Sequence, residues 1–510
     1  MLAVLLGSAL GAAPVAEAAK VSVDAHLSTS TYLRGQTVAV AGTARGVSKG
    51  TKVRLERSVG SSWRSAVAGK TTTAAGAYRM QVAMSSTALR SGTHHLRVVV
   101  LGATGKVKAV SSRMTLRHAT CTASARPSAI SVSFTQATAS SGAALANKIK
   151  GSICAAANGA TVTVSMYILN KNDARAKLIL DALRYVHAER GVGIRFVLET
   201  GVNDFGGIPA STVSYLRSFA RVTTCRFGCG PTVKMHDKLL AISDTRWRSG
   251  TDPLVVMGSA NWSDRQFDIY WQTETFFYGD RSLYRDAVAH QARMRTCGAG
   301  LCSTIRSVLG APWVRGSRGY WGVSGDPVLP GSAGSGLTYQ YLPAVTSRDN
   351  VVDTLKSVTC HAGGTVRVAM FTTTDWRART IGTQLGRLRK EGCDVRVVAG
   401  QGTRAPTAAS AISALHKASG VAPRCVYGMH AKYVALRGVE VHGKRGQSMV
   451  LDGSENWTTA ALRTNDESEF VLSTATATTS RATLIRQVAQ AYTTQWGKIG
   501  AHAAPCGSIS

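Results

Sequence analysis

Short segments in which apolar and polar residues alternate dominate the chain between residues 20 and 118. Thr37–Val40, Lys52–Leu55, Tyr78–Val82 and His95–Val100 show this period of two, and turns rich in Gly and Ser separate them. Alternation of this kind is typical of half-buried strands, and a series of such strands predicts a small antiparallel sandwich. The segment contains no clustered nucleophile, base and acid, so we expect a binding or spacer module rather than an enzyme.

A different pattern fills the rest of the chain, and it occurs twice. The β-prone runs Thr161–Tyr167 and Thr365–Phe371 are each followed by a segment with helical periodicity and then by a second apolar strand, at Ile194–Leu198 or Val395–Val398. Both helical segments end at a glycine. Strand, helix and strand, repeated, predict two α/β units. The apolar positions of the two helices are Ile179, Ala182, Leu183 and Val186 in the first, and Ile381, Leu385 and Leu388 in the second.

The predicted fold is therefore α/β, with two pseudo-symmetric repeats packed together and a small β-sandwich before them. At the N-terminus, the apolar stretch Met1–Ala13 and the Ala16-Glu17-Ala18 pattern predict a secretory signal peptide, although no Lys or Arg precedes the stretch. The expected divisions are the signal peptide at 1–19, the sandwich at 20–118, the first repeat at 119–310, a connector rich in Gly, Ser and Pro at 311–345, and the second repeat at 346–510.

Charge and cysteine content add a partner class and a compartment. The 510 residues carry a formal charge of +32, which predicts an anionic partner: nucleic acid, anionic lipid or a cell-wall polymer. Residues 20–118 contribute 16 Lys and Arg against two acids, so we expect them to act as an electrostatic tether. With 44% apolar and 17% charged residues, the composition excludes a largely disordered chain.

Ten cysteines, without the spacing of zinc ligands, favour disulfides and hence an oxidising compartment. Cys225 with Cys229 and Cys297 with Cys302 are close enough to close local loops. The other six allow fifteen pairings, among which the sequence does not choose. They are Cys121, Cys154, Cys360, Cys393, Cys425 and Cys506.

The same chemical motif lies late in each repeat. Met235–Ile242 contains His-Asp-Lys and Met429–Leu436 contains His-Ala-Lys, and each is followed by Gly-Ser-x-Asn-Trp. The two histidines lie 194 residues apart and the two asparagines 195. In an extended strand, residues i and i+2 share a face, so each His would project beside its Lys.

Two such copies facing each other would form a pocket with two imidazoles, two ammonium groups and two amides. Lysine and amide groups suit phosphate oxygens, while one imidazole can attack phosphorus and the other can protonate the leaving oxygen. This chemistry requires no metal and no other cofactor. The candidate catalytic residues are His236, Lys238, Asn261, His430, Lys432 and Asn456.

The paired motifs resemble the HKD repeats of the phospholipase D superfamily over residues ~140–500, and the N-terminal strands resemble an immunoglobulin-like bacterial module. The superfamily resemblance implies a covalent phosphohistidine on His236, with His430 as the general acid and base. It also implies phosphate contacts from Lys238, Lys432, Asn261 and Asn456, assisted by Ser259 and Ser454. The acidic group that orients an imidazole in this family maps onto Glu467. An alignment with two inserted residues, which also matches Phe277 to Phe470, suggests Glu274 in the first repeat.

One departure from the family pattern leaves alternatives open. Ser243 and Arg437 stand where the family has Asp, five residues after each Lys. The predicted function is a secreted, monomeric phosphodiesterase of phospholipase D type that acts on phospholipid headgroups and can contact an anionic membrane, cell wall or nucleic acid. A nuclease of the same superfamily and a catalytically weakened cell-surface binding protein are the alternatives.

Overall fold

A computed structural model of the chain describes residues 20–72, 76–84, 92–201, 207–229, 232–247, 252–298, 313–315, 321–323, 328–344, 346–401 and 407–507. The chain divides into two compact units, Met1–Thr120 and Cys121–Ser510. The predicted signal peptide at 1–19, Cys302 and parts of the predicted connector at 311–345 lie outside the described residues.

The N-terminal unit is built from strands. Those described are β1 (Ser22–Val23), β2 (His26–Leu27), β3 (Thr31–Tyr32), β4 (Thr37–Arg45), β5 (Lys52–Val59), β6 (Ser62–Thr71), β7 (Ala77–Ala83), β8 (Thr93–Leu101), β9 (Val107–Val110) and β10 (Met114–His118). One sheet has the order β1-β4-β2 with β7 paired to β4, and the other has the order β3-β10-β8-β5-β6 with β9 paired to β8. Alternate residues, such as Tyr78, Met80 and Val82 of β7, are buried in a single core, as the period of two requires.

The C-terminal unit alternates strands with helices. Its first part contains β11 (Ile130–Phe134), α1 (Ala139–Ile153), β12 (Thr161–Met166), α2 (Ala174–Arg190), β13 (Gly193–Glu199), α3 (Ala210–Arg217), β14 (Arg221–Cys225), β15 (Lys234–Met235), β16 (Leu239–Ile242), β17 (Leu254–Gly258), α4 (Asp264–Asp268), β18 (Thr273–Tyr278) and α5 (Arg281–Gly298). Its second part contains β19 (Trp313–Arg315), β20 (Trp321–Val323), β21 (Leu329–Pro330), β22 (Ser335–Leu342), α6 (Asn350–Lys356), β23 (Val358–Thr359), β24 (Thr365–Met370), α7 (Asp375–Lys390), β25 (Asp394–Gly400), α8 (Ala409–Ser419), β26 (Arg424–Val426), β27 (Lys432–Val441), β28 (Lys444–Gly453), α9 (Thr459–Arg463), β29 (Asn465–Ala477), α10 (Thr479–Ala501) and β30 (Ala504–Pro505).

Each part has a central pair of parallel strands joined by a helix, as the repeated pattern predicts. The first sheet has the order β11-β18-β17-β16-β12-β13-β14, and the second has β21-β22-β29-β28-β27-β24-β25-β26-β30. Helices α2 and α7 connect β12 to β13 and β24 to β25, and their predicted apolar faces are buried. Gly191 at the end of α2 and Gly392 just after α7 adopt φ values of +65° and +111°, where a side chain would be strained. The α/β architecture is thus the predicted one.

Two connections place the first repeat against the second. Strand β15 pairs in parallel with β29, so that Met235 lies opposite Asp466. Trp271, just before β18, forms a parallel bridge with Met429. A shared core lies between the two sheets. Its members include Leu239, Met257, Phe277, Tyr433, Phe470 and Tyr492.

Four disulfides are present among the described residues, and they include the predicted local loop between Cys225 and Cys229. The other six cysteines named above form three bridges, Cys121–Cys154, Cys360–Cys393 and Cys425–Cys506. No helix in the described part of the chain is long and apolar enough to cross a membrane.

Candidate active site

The His-x-Lys motifs lie at the entrances of strands rather than within them, which corrects the expectation of two extended strands. Residues 236–238 connect β15 to β16, and His430 precedes β27, which begins at Lys432. Each ammonium group donates a hydrogen bond to the backbone carbonyl of its own histidine, and Lys432 Nζ also lies 3.2 Å from His430 Nδ1. All four side chains are buried.

His236 is held by a carboxylate from the other repeat. Its backbone N–H donates to Asp466 O at 2.9 Å, which brings its ring to the next residue, Glu467. The Nδ1 atom lies 2.9 Å from both Glu467 oxygens. Glu467 also accepts hydrogen bonds from Ser454 Oγ at 2.5 Å and Asn465 Nδ2 at 3.1 Å. Nδ1 therefore carries the proton, which makes Nε2 the unprotonated nitrogen of the neutral ring.

His430 is held in the same way, but by an amide. Its N–H donates to Trp271 O at 3.0 Å, and its Nδ1 lies 2.9 Å from Gln272 Oε1. Ser259 Oγ donates to the same amide oxygen at 2.8 Å. The Gln272 amide nitrogen donates to Gln266 Oε1 at 2.6 Å, which fixes the orientation of the amide. The second histidine therefore has a neutral acceptor where the first has an acid.

Glu274 is not the counterpart of Glu467, so the alignment with two inserted residues is wrong. In the sheets, Glu274 lies opposite Gly258 and Glu469 lies opposite Gly453, which makes Glu469 the equivalent of Glu274. The Glu274 carboxylate accepts a hydrogen bond from Ala260 N at 3.0 Å. The offset of 195 residues between the asparagines continues without a gap through these strands, and applying it to Glu467 would have identified Gln272.

The two serines have similar surroundings, whereas the two asparagines do not. Ser454 donates to Glu467 and Ser259 to Gln272, so both hydroxyls support the histidine partners rather than facing a ligand alone. Asn261 Oδ1 accepts a hydrogen bond from Ile168 N at 3.1 Å. Asn456 Oδ1, by contrast, is buried without a hydrogen-bond partner, which leaves it available to a bound group.

Residue 455, within the second Gly-Ser-x-Asn-Trp motif, adds a contact that the first motif lacks. Glu455 accepts a hydrogen bond at 2.6 Å from Arg377, a fully buried residue of α7. Arg377 also binds Asp349 through two hydrogen bonds of 2.9 Å. The corresponding position of the first motif is Ala260. An ion network therefore fixes only the second asparagine loop.

Buried cations and buried carboxylates lie together in the pocket, where the charges of Glu467 and Glu274 act on both Lys238 and Lys432. Burial lowers the pKa of Lys238 to about 8. Burial, followed by the charge of Lys238, lowers the pKa of Lys432 well below its usual value. The pKa of His430 is also lowered, first by burial and then by Lys432 and Lys238. Burial raises the pKa of Glu467 to about 7 despite the opposing charge of Lys238. An anion in this pocket would relieve the repulsion between the cations.

Sequence reasoning missed two aromatic rings that contact the histidines. The ring centroids of Tyr167 and His236 lie 4.7 Å apart, and those of Phe371 and His430 also lie 4.7 Å apart. Tyr167 directly follows β12 and Phe371 directly follows β24, so the two residues occupy equivalent positions in the repeats. Comparison of the repeats could therefore have identified both rings. Trp262 and Trp457 are buried in separate hydrophobic cores.

A second buried group, behind His236, was also missed. Asp237 accepts a hydrogen bond from Ser468 Oγ, and its other oxygen lies 3.6 Å from His290 Nε2. Arg293 donates to His290 Nδ1 at 2.6 Å. Burial, followed by the charge of Arg293, lowers the pKa of His290 to about 4, so this imidazole is neutral at physiological pH. Asp237 belongs to the segment between β15 and β16, so these contacts anchor that segment. Sequence analysis does not single out His290, because it belongs to no repeated motif.

The two positions where Asp is expected carry structural contacts instead. Ser243 Oγ accepts a hydrogen bond from Thr161 N at 2.8 Å and so joins the end of β16 to the start of β12. Arg437 lies within β27, opposite Thr365 and Ser448 on the neighbouring strands. Neither residue contacts the histidines. In the described ranges, no group of three or more His, Cys, Asp and Glu side chains is placed to hold a metal ion.

Comparison with known proteins identifies the repeats. The family model described as "Cardiolipin synthase, PLD-like domain" matches residues 153–288 and 355–494, which together make up more than half of the chain. No curated protein matches the chain. A solved Paenibacillus structure, a cycloisomaltooligosaccharide glucanotransferase complexed with cycloisomaltoheptaose, matches with 11% identity and a TM-score of 0.16, covering 35% of this chain and 28% of that one. A TM-score that low does not establish a shared fold.

Each matched range contains one of the two histidine motifs, with its lysine and its asparagine loop. The chain belongs to the phospholipase D superfamily, with two copies of the PLD-like domain.

Proposed function

We propose that the protein is a secreted phosphodiesterase of phospholipase D type, which cleaves the headgroup from phospholipids through a phosphohistidine on His236. The observation that carries the proposal is the orientation of the two histidines by Glu467 and Gln272, each across the boundary between the repeats. In the proposed reaction the chemistry takes place at Nε2 of each ring, because Nδ1 is the atom held by Glu467 or Gln272.

The first chemical step uses both histidines. His236 Nε2 attacks phosphorus, the bond from phosphorus to the headgroup oxygen breaks, and His430 gives that oxygen its proton. The products are the free headgroup alcohol and a phosphatidyl group on His236. Glu467 stabilises the positive charge that develops on the His236 ring, while the lysines stabilise the charge on the phosphate oxygens.

The second step regenerates the enzyme. His430, now neutral, takes a proton from water as the water oxygen attacks phosphorus. The bond from phosphorus to His236 Nε2 breaks, and phosphatidic acid leaves. In the empty pocket, burial and the two lysines lower the pKa of His430. A phosphodiester anion would offset those lysine charges and favour the protonated His430 that the first step needs.

Three observations support a lipid substrate and an external location. The matching family description names an enzyme of lipid synthesis. Both motifs lie in one chain, an arrangement commoner among the lipid enzymes of the superfamily. Four disulfides favour an oxidising compartment.

A nuclease of the same superfamily is the second candidate. The formal charge of +32 favours it, because neutralisation of phosphates drives nucleic-acid affinity. The same charge would also attract anionic membranes, so charge alone does not separate the two functions.

Substrate choice is tested by incubating the purified chain with vesicles of mixed phosphatidylcholine and phosphatidylglycerol, and separately with single- and double-stranded DNA. We expect released headgroup and, when ethanol is added, phosphatidylethanol, because a covalent intermediate can transfer to an alcohol. A chelator should change these rates less than about twofold, since lysines supply the positive charge. DNA cleavage without headgroup release would establish the nuclease, and binding without turnover on any substrate would contradict both enzymes.

A further inference from the structure

Large apolar side chains are exposed at few places in the described part of the chain, and half of those places flank the active-site histidines. Phe227, Val233, Ile269 and Tyr427 are 56%, 50%, 43% and 42% exposed. Four further exposed residues of this kind lie elsewhere: Val107, Val110, Val328 and Trp376. Single exposed apolar residues are ordinary, whereas a group of them beside one pocket indicates an interaction surface.

Two of the four exposed residues occupy equivalent positions in the two repeats. Val233 stands three residues before His236, and Tyr427 stands three residues before His430. Both positions therefore carry an exposed apolar side chain at the entrance to a motif whose own side chains are buried. The match is in position and exposure, although the two residue types differ.

Backbone contacts bring the other two residues to the same entrances. Phe227 N and Met235 N donate to the two oxygens of one carboxylate, that of Glu199, each at 3.0 Å. Phe227 is therefore tied to the residue before His236. On the other side, the Ile269 carbonyl packs so closely on Gly428 that a Cβ there would lie 2.7 Å from its oxygen. Ile269 is thus next to Tyr427.

Cationic side chains accompany the apolar ones. Arg226 is exposed beside Phe227, its guanidinium carbon 5.9 Å from the ring centroid. Lys234 follows Val233 directly. Arg265, on α4, donates to the Tyr270 hydroxyl at 3.1 Å and is also hydrogen-bonded to Tyr427. Exposed apolar residues before each histidine thus have cationic residues beside them, Arg226 and Lys234 before His236 and Arg265 next to Tyr427.

We propose that Phe227, Val233, Ile269 and Tyr427, with Arg226, Lys234 and Arg265, form a membrane-contacting rim that seats the active-site entrance on an anionic phospholipid bilayer. The apolar side chains enter the boundary between headgroups and acyl chains, and the cations remain at the level of the phosphates. Two of the four apolar residues are aliphatic and cannot stack on nucleic-acid bases, whereas a bilayer accepts aliphatic and aromatic groups alike. The inference rests on the proposed phospholipid substrate and adds how the enzyme reaches it.

The test separates binding from catalysis. In a His236→Asn background, sedimentation with vesicles of phosphatidylcholine and phosphatidylglycerol measures the partition coefficient at 0.1 M and 0.5 M salt. We expect Val233→Ser with Tyr427→Ser to lower it about tenfold. This loss should persist at 0.5 M salt, because apolar insertion is not screened. Val328→Ser, at a residue that is 46% exposed in another part of the C-terminal unit, is the matched control and should change the coefficient less than twofold.

Activity then distinguishes the rim from the proposed function. In the active enzyme, the ratio of turnover on vesicles to turnover on a soluble short-chain phosphodiester should fall about tenfold in the double variant. An unchanged partition coefficient and ratio would overturn the rim while leaving the phosphodiesterase standing. Loss of vesicle binding in a protein that hydrolyses no phospholipid would keep the rim and refute the substrate. Loss of single-stranded DNA binding instead, or of a dimer seen without lipid, would overturn the bilayer as the occupant.

Discussion

The environments of His236 and His430 differ most directly in the group that Nδ1 contacts. Both rings are buried, both donate through Nδ1 across the boundary between the repeats, and both contact an aromatic ring at 4.7 Å. The acceptor is a carboxylate, Glu467, for His236 and an amide, Gln272, for His430. A carboxylate stabilises a histidine that becomes cationic by bonding to phosphorus, whereas an amide keeps a histidine ready to give up a proton. In the proposed mechanism, the two copies of the motif therefore have different roles.

The largest effect should come from removing the nucleophile. His236→Asn should lower turnover of a soluble phosphodiester by about 10⁴-fold or more, because the amide nitrogen of Asn is not a nucleophile. The far-UV circular dichroism spectrum should remain that of the folded chain. Acid-quenched mass spectrometry of the wild-type enzyme should find the phosphoryl adduct on His236, and an adduct found only on His430 would reverse the roles.

Removing the acid should cost less and should depend on the leaving group. His430→Asn should lower turnover by about 10³-fold with an alkyl alcohol as the leaving group. For the first step alone, measured as the initial burst of released alcohol, the loss should shrink to about tenfold with p-nitrophenol, which departs without a proton. Hydrolysis of the phosphohistidine should stay slow with either substrate, because it needs His430 as the base. His236→Asn should lose the first step equally with both substrates. Equal losses of the first step for His430→Asn on both substrates would show that His430 is not the acid.

Glu467→Gln makes the first environment resemble the second. The amide still accepts from Nδ1 but cannot balance the positive charge on the ring, so we expect kcat/KM to fall about 100-fold. The partly exposed pair of His361 and Glu440, 2.9 Å apart, offers the control. Glu440→Gln should leave kcat/KM within twofold of the wild type. Near-normal activity in Glu467→Gln would remove the distinction between the two histidines.

Gln272→Glu is the reciprocal change, and its effect is a shift in pH dependence. An acid must be protonated to act, so kcat/KM is retained below the pKa of His430 and lost above it. Burial, Lys432 and Lys238 lower that pKa in the wild type. A carboxylate at the 2.9 Å position of the amide oxygen should raise it and move the alkaline limb upward by about 1 to 2 pH units. A limb that stays in place would show that another group controls it.

Features that are repeated or periodic along the chain could be predicted from the sequence. Strand, helix and strand recur with their glycine stops, and the apolar faces of α2 and α7 follow directly from the helical period. The motif histidines, lysines and asparagines were found because they occur twice. Glu467 came from family resemblance, since nothing local links residues 231 positions apart. Gln272 was missed because the alignment assumed an acidic residue at this position and introduced a two-residue insertion to place Glu274 there.

Pairing that depends on tertiary structure could not be predicted. Cys154 and Cys360 both precede the central strand of a repeat, yet Cys154 bonds backwards to Cys121 and Cys360 bonds forwards to Cys393. Both bridges span 33 residues, so spacing would not have separated them. His290 is a similar case, because only the folding of α5 against the first sheet brings it to Asp237.

The smallest effect should come from the residue between His and Lys, where the repeats differ as Asp237 and Ala431. Asp237→Ala copies the second repeat into the first, leaves the hydroxyl of Ser468 without its acceptor and removes the carboxylate that lies 3.6 Å from the His290 ring. We expect the free energy of unfolding to fall by about 1 to 3 kcal/mol, because a buried hydroxyl loses its hydrogen-bond partner. Turnover should fall less than about tenfold, since the histidine keeps its own contacts to Glu467 and Asp466.

A matched exposed aspartate separates this effect from the loss of any charge. Asp394 forms ion pairs with Arg367 and Arg396 and is 45% exposed. Asp394→Ala should cost about 1 kcal/mol or less, because water screens such pairs. Urea denaturation of the two variants measures the difference. If Asp237→Ala unfolds at the same urea concentration as Asp394→Ala and turns over substrate at the wild-type rate, the buried group behind His236 contributes nothing to the asymmetry, which then rests on Glu467 and Gln272 alone.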